Sequence, residues 1–301
     1  MDFPREETLR WIVSRYAGLQ ARHGEGIGSP DLVQPDGDYF PDEFAPTGEG
    51  VARLVARMLE YAPVRAGLDV KLRFVDSEGE EEGGGGSCGT SGKSGGGCGT
   101  GACGTGSATD NVTDRVLEID GGYLLELPVE AVRSPVVLTA TLARAAGGIV
   151  LAEAGEEVAA SELGGMSELA AIASGLGVLV ASGAHVYGKS CGGARVSRHT
   201  HLAVEEVTVA LALFTAHHGI KPSVAKTNLE TTQREAFVEA YDWVESNPAI
   251  VTQLRTRPEV LEAGMFTCEP TKGFFGKLMA RRAASEEERA FSFAPARGRA
   301  R

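Results

Sequence analysis

The sequence is poor in aromatic residues, positive charge and cysteine. Aromatic residues make up 6% of the chain, so leucine, valine and alanine must supply most of the packing. The formal net charge of −12 argues against a general nucleic-acid binder and against attachment to anionic lipid, because both partners need a basic face. Five cysteines, an odd number, do not fit a secreted disulfide framework.

Several familiar signals are also missing. The chain has no G-x-S-x-G elbow, no C-x-x-C pair and no dinucleotide fingerprint. Its first residues lack a basic start followed by an apolar core, so we expect no signal peptide. Residues 169–186 are apolar enough to resemble a membrane span, but their many small residues favour a packed internal helix. We therefore expect a cytoplasmic protein with an unknown protein partner, no cofactor, and no contact with nucleic acid or membrane.

The stretch "SCGTSGKSGGGCGTG", residues 87–101, combines features of a phosphate loop and of a metal site. A phosphate loop requires glycine where this chain has Ser87, and it requires a helix after the Gly-Lys-Ser triplet. The glycine-rich sequence that follows cannot start a helix. Structural zinc sites use closely paired cysteines. That pairing is missing from the three cysteines here: Cys88, Cys98 and Cys103. The sequence therefore predicts a spacer, inserted at residues 83–107.

Apolar periodicity predicts the order of the elements. A helical period runs through residues 6–24, an irregular arm follows, and Thr47 can cap a second helix. Alternation predicts a strand at residues 69–76 and a hairpin at 114–128 with its turn at residues 120–122. From Ser134, which precedes Pro135 as a helix cap, the pattern is helical to the end of the fold. These signals predict an α+β fold, with a small sheet in the first half packed on a mostly helical second half.

Three segments follow from this order. Residues 1–46 form an N-terminal helix and an irregular arm, and residues 47–280 form an α+β domain that contains the insertion at 83–107. Residues 281–301 are a polar tail with a basic end, for which we expect disorder.

The stretch "SPVVLTATLARAAGGIVLAEAG", residues 134–155, follows the predicted hairpin and contains the frame T-L-A-x-x-x-x-G. This frame resembles the active-site helix of zincin-like metallopeptidases, which carries the HExxH motif. Residues 166–185, "MSELAAIASGLGVLVASGAH", are similar to the next helix of some zincin-like bacterial proteins. The resemblance covers roughly residues 39–217 and implies a zincin-like fold.

On that resemblance the first histidine of HExxH falls on Arg144, the glutamate on Ala145 and the second histidine on Gly148. The third ligand and a neighbouring aspartate fall near Gly164 and Glu168. A permanent guanidinium charge repels Zn²⁺, alanine cannot accept a proton, and glycine has no side chain. The resemblance therefore implies a catalytically inactive pseudopeptidase that acts as a binding or scaffold module.

Two other hypotheses remain open. His185, Cys191, His199 and His201 are suitable zinc ligands, so the chain could instead be a metal-dependent hydrolase with a non-standard site. The third hypothesis is a helical interaction protein without enzyme ancestry, in which the helix glycines exist only because another element packs closely against them.

Overall fold

The structure is a computed structural model, and it describes residues 3–27, 31–75, 115–190 and 193–272. The predicted spacer at 83–107 and the predicted tail at 281–301 lie outside these residues. Helices α1 to α4 are Glu6–Ile27, Gly48–Tyr61, Val129–Val132 and Pro135–Glu153. Helices α5 and α6 are Leu163–Ala171 and Gly177–Gly183, and α7 to α11 are Val204–His217, Pro222–Lys226, Thr231–Ser246, Pro248–Thr256 and Pro258–Glu262. Strands β1 to β5 are Asp69–Val75, Arg115–Ile119, Gly122–Pro128, Val186–Ser190 and Gly193–Ser197.

The first three strands form one mixed sheet. Strand β3 is central, with β1 parallel on one side and β2 antiparallel on the other. The β2–β3 turn places Gly121 at φ 85°, a conformation that glycine adopts without a steric penalty. The hairpin predicted around this glycine is confirmed. Edge strand β2 lies against α4, which connects the sheet to the helical half of the protein.

The helical half is built around α4, α5, α6 and α7. Helix α4 begins at the predicted cap, where Ser134 Oγ accepts a hydrogen bond from Val137 N. It packs against α5 and α6, while α7 packs against α9 and α1. The large side chains of Tyr16 and Trp243 are buried in this core. The α+β class predicted from the sequence is therefore confirmed at the level of mixed, mostly helical architecture.

Small residues let the central helices approach closely. A Cβ atom on Gly147 would overlap the carbonyl oxygen of Ser167 and would lie 2.7 Å from the backbone nitrogen of Ala171. Gly148 differs, because its Cβ would meet only Ser167 Oγ at 3.4 Å and Val116 Cγ2 at 3.6 Å. Close packing explains the glycine at position 147, and an alanine would fit at position 148.

The internal helix predicted at residues 169–186 is interrupted. Residues Ile172–Leu176 form a π-helical turn between α5 and α6, and Gly175 has φ 91°. The interruption frees the Gly175 carbonyl, which accepts a hydrogen bond of 3.0 Å from Val33 N. The arm before α2 is therefore fixed to the centre of the helical core at this point.

The prediction that the chain is helical from Ser134 onward is wrong, because β4 and β5 form a two-stranded antiparallel sheet. Helix α7 also begins only at Val204. His199 and His201 thus lie in a loop before the helix, and His201 does not share a helical face with Glu205.

Candidate functional site

The structure brings together two of the positions that the zincin resemblance singled out. Arg144 lies in the middle of α4, and its Nη1 is 3.6 Å from Oε1 of Glu168 on α5. Their side chains are only 5% and 0% exposed, so this is a buried ion pair. Arg144 Nη1 also donates a hydrogen bond of 2.6 Å to the carbonyl oxygen of His199.

Glu168 attaches the loop before α7 to the core. Its two carboxylate oxygens accept hydrogen bonds from the backbone nitrogens of His201, at 2.6 Å, and Leu202, at 2.9 Å. The same loop is held by a bond of 3.0 Å from His199 N to the carbonyl oxygen of Gly183. The ion pair therefore joins α4, α5 and the loop at residues 199–202.

Hydrogen bonding is what makes this buried pair tolerable. Taking two charges out of water is costly, and their attraction offsets the cost only when further hydrogen bonds surround them. The carboxylate of Glu168 has two backbone donors, and the guanidinium of Arg144 has a backbone acceptor. Removing one partner of such a pair typically costs about 3–5 kcal/mol, because the other charge stays buried.

The other positions of the resemblance offer no metal ligand. Ala145 is buried in the core, and Gly148 is half-buried beside Val116. Gly164 has no side chain to offer, and a Cβ there would displace the exposed imidazole ring of His201. With a guanidinium at the first position and no donor atom at the second, these residues do not fit a zinc ion.

The alternative histidine and cysteine group has three members within the described residues. The ring of His199 is half-buried, with Nε2 3.0 Å from Ser197 Oγ, and its pKa is lowered by burial and then by the charge of Arg144. His201, in the same loop, is exposed. The ring of His185 lies edge-on to Tyr187, with 5.0 Å between the ring centroids.

Cys191, the fourth member, lies outside the described residues. Across the ranges that the structure describes, no three His, Cys, Asp or Glu side chains are arranged to hold a metal ion. A site that depends on Cys191 stays a prediction.

A large open cavity, of about 970 Å³, lies away from the ion pair. We call it the arm cleft. It lies between the arm at residues 35–44, α2, the first turn of α4, the end of α6, the start of β4 and the first turn of α9. Arg144 and Glu168 are not among the residues that line it.

Hydrogen bonds far apart in the sequence hold the walls of the arm cleft in place. Asn228, just before α9, donates from Nδ2 to Gln34 Oε1 at 3.0 Å. Tyr61, at the end of α2, donates from its hydroxyl to the carbonyl oxygen of Tyr39 at 2.6 Å. The arm is therefore an ordered wall of the cleft, although its sequence predicts only irregular structure.

The arm cleft combines exposed apolar side chains with carboxylates. Phe44, Val136 and Tyr187 line it and are 38%, 42% and 70% exposed. Four carboxylates and two guanidinium groups also line it. The carboxylates belong to Asp36, Asp42, Glu43 and Glu230, and the guanidinium groups to Arg53 and Arg57. Exposed apolar surface of this kind, rimmed by charge, is typical of a binding site.

No periodic pattern in the sequence predicts the arm cleft. The arm does carry a signal, since Phe40 and Phe44 alternate with acidic residues in a stretch that has no helical or strand period. Aromatic residues in an irregular segment have no periodic face to bury, so they are candidates for a binding surface. The first turn of α9 gives no comparable signal, because its position beside the arm is a tertiary contact.

Two histidines, His217 and His218, lie at the C-terminal end of α7. Burial, helped by the neighbouring His218 and Arg255, lowers the pKa of His217 to about 4. The Tyr16 hydroxyl lies 3.5 Å from Nδ1 of His217. A histidine with so low a pKa is neutral at pH 7, so His217 places no positive charge at this helix end.

Two helical stretches are long and apolar enough to cross a membrane, namely Pro135–Glu153 and Leu163–Gly183. Each has a mean hydropathy of 1.6, but 72% and 89% of their apolar windows are buried inside the protein. The same length and composition occur in core helices of soluble proteins.

Comparison of the chain with models of protein families, with curated proteins and with solved structures finds no match. The resemblance to zincin-like metallopeptidases therefore stays a prediction that rests on the residues quoted above.

Proposed function

We propose that this chain is a zincin-like pseudopeptidase, a binding or scaffold module that has no hydrolytic chemistry. The observation that carries the proposal is the buried pair of Arg144 and Glu168. Arg144 stands where the resemblance has the first histidine of HExxH, and Glu168 stands near the aspartate that neighbours the third ligand. Here both residues hold helices and a loop together.

The contact between β2 and α4 supports the same proposal. A zincin-like arrangement requires a sheet beside the helix that would carry HExxH, and a helical protein without enzyme ancestry has no such requirement. Val116 of β2 lies near Gly148, the position of the second histidine in the resemblance.

The arm cleft supplies a surface for the binding role. Its volume of about 970 Å³ is at the upper end of the usual range for ligand sites, and it is separate from the ion pair. Binding at this cleft requires nothing of the residues at positions 144, 145 and 148, so the loss of a metal site would leave it intact.

Bound metal is the first quantity to measure, on protein purified without an affinity tag. We expect no stoichiometric zinc by elemental analysis, before or after a chelator wash, and no cleavage of a denatured protein substrate. One tightly held zinc per chain together with chelator-sensitive cleavage would overturn the proposal.

If zinc were found, the variants Cys191→Ser and Arg144→Met would locate it. Loss of zinc in Cys191→Ser alone would assign the metal to the alternative group of His185, Cys191, His199 and His201. Zinc retained in both variants would assign it elsewhere, and the pseudopeptidase proposal would fail in either case.

A further inference from the structure

We propose that the arm cleft binds a cationic peptide through an arginine side chain. This inference rests on the proposed binding function and names the chemical class of the partner. Its first support is a buried acceptor in the cleft wall. Gln233, which is 1% exposed, donates from Nε2 to the carbonyl oxygens of His185 at 2.9 Å and Ser182 at 3.4 Å.

The amide oxygen of Gln233 has no hydrogen-bond partner within the described residues. A buried oxygen without a donor is unfavourable, so a ligand N–H group that reached it through a shift of the Gln233 side chain would remove an existing cost. An arginine side chain offers five such donors in one planar group. The cleft wall therefore contains an acceptor that lacks a hydrogen-bond donor.

Charge in the arm cleft favours the same ligand. Of the two guanidinium groups that line it, Arg57 is paired with Asp42 at 3.2 Å and with Glu60 at 2.6 Å. Glu43 and Glu230 line the cleft, and the structure gives neither of them an ion-pair partner among the described residues. A cationic group therefore meets more uncompensated charge of opposite sign than an anionic group does.

Aromatic surface completes the site. Tyr187 is 70% exposed at the start of β4, and Phe44 is exposed on the opposite arm. A guanidinium group stacks favourably on such rings, while the apolar neighbours of an arginine in a peptide can pack against Val136. These are groups that recognise a peptide with both basic and apolar residues.

Two helices also point their N-terminal ends toward the cleft, which by itself would favour an anion. Ser134 caps α4 through its bond with Val137 N. The N-cap residue of α9 is Glu230, whose side chain makes no capping hydrogen bond, but its full negative charge exceeds the partial positive charge of the helix end. Tighter binding of an anionic peptide is therefore one of the results that would overturn the proposal.

The experiment measures binding to the full chain by fluorescence anisotropy. The probe is a fluorescein-labelled peptide in which arginine and phenylalanine alternate with serine and glycine. Two matched peptides replace each arginine by citrulline, which keeps the shape and removes the charge, or by glutamate. We expect the arginine peptide to bind at low salt, more weakly as salt is added, and the citrulline peptide to bind at least about tenfold more weakly.

Variants of the protein locate the binding. Glu230→Gln and Glu43→Gln change exposed residues, and we expect each to weaken binding of the arginine peptide by about tenfold. Glu239→Gln, on the exposed side of α9 away from the cleft, is the matched control and should bind as the unchanged protein does. Equal affinity in all three variants, with unaltered circular dichroism and melting, would overturn the assignment to this cleft.

Two further outcomes would also overturn the proposal. The first is tighter binding of the glutamate peptide than of the arginine peptide, which would assign the cleft to an anionic ligand. The second concerns the chain's own basic end, residues 297–301. If replacing Arg297, Arg299 and Arg301 by glutamine strengthens peptide binding severalfold, the occupant is a segment of this chain and not a separate partner.

None of these outcomes depends on zinc. If zinc binding and cleavage were found while the arginine peptide bound as expected, the pseudopeptidase proposal alone would fail. If no zinc and no peptide binding were found, the inference about the cleft alone would fail.

Discussion

Replacing Arg144 by methionine tests whether the buried pair is structural. Methionine keeps an unbranched apolar stem and removes the guanidinium group, so the variant leaves the carboxylate of Glu168 buried without its guanidinium partner. Two backbone donors, from His201 and Leu202, would remain on that carboxylate. The bond from Arg144 to the carbonyl oxygen of His199 would be lost.

The magnitude follows from burial. Because the two side chains are 5% and 0% exposed, water cannot replace the missing partner. We expect Arg144→Met to lower the free energy of unfolding by about 3 kcal/mol, the lower end of the usual range, since Glu168 keeps two hydrogen bonds. Glu168→Gln should cost nearer to about 5 kcal/mol, because its amide NH₂ would face backbone N–H donors.

The assay is urea unfolding followed by far-ultraviolet circular dichroism, with the slope against urea concentration checked for constancy. The double variant completes a thermodynamic cycle, and it should cost less than the sum of the single variants by about 1–3 kcal/mol. Arg15→Met is the matched control. It removes an exposed guanidinium 2.7 Å from Glu162, with side chains 47% and 31% exposed, and it should cost less than about 1 kcal/mol.

The reasoning is refuted if Arg144→Met costs no more than Arg15→Met, or if the two single changes simply add. Either result would mean that the pair is not energetically coupled. The structural role that the pseudopeptidase proposal assigns to Arg144 would then have no support.

Two further predictions use the neighbouring glycines of α4 and the buried histidine of α7. Gly147→Ala should destabilise the protein by about 1–3 kcal/mol, because the new Cβ would overlap the carbonyl oxygen of Ser167. Gly148→Ala should be neutral or should stabilise the protein by up to about 1 kcal/mol. Thermal melts of both variants check the contrast, and equal losses of stability would contradict it. The pKa of His217 falls from 6.5 to about 4 on folding. Between these two pH values the unfolded chain binds more protons than the folded protein does. The free energy of unfolding should therefore decrease by about 3 kcal/mol as the pH falls from about 6.5 to about 4. Urea unfolding at a series of pH values should show a shallower loss of stability in His217→Gln than in the unchanged protein, and an equal loss in both would show that His217 does not cause it.

Local signals in the sequence predicted those elements whose ends are set by local chemistry. Thr47 accepts a hydrogen bond from Gly50 N at the start of α2, and Ser134 accepts one at the start of α4. The apolar period of α1 is equally visible, and its members are buried. A cap and a periodic face are local properties, so the sequence carries them openly.

The features that escaped prediction depend on contacts between distant residues. The break at Gly175 is compensated by Val33, which a helical pattern cannot reveal. The β4–β5 hairpin lies in a stretch without clear alternation, where pairing itself stabilises the strands. The ion pair of Arg144 and Glu168 was not predicted. The resemblance placed both residues near one site but did not imply that they would pair.

Helix α4 carries both features on which the proposals depend, at different places along its length. Val136 lies in the first turn, beside the arm cleft, and Arg144 lies about 12 Å further along the axis at 1.5 Å per residue. Sites separated by this distance, with no shared partner, usually behave additively. A change of residue at position 144 is therefore expected to leave the shape of the cleft intact. For the same reason, the stability of Arg144→Met and the peptide affinity of Glu230→Gln measure two separate properties of one helix.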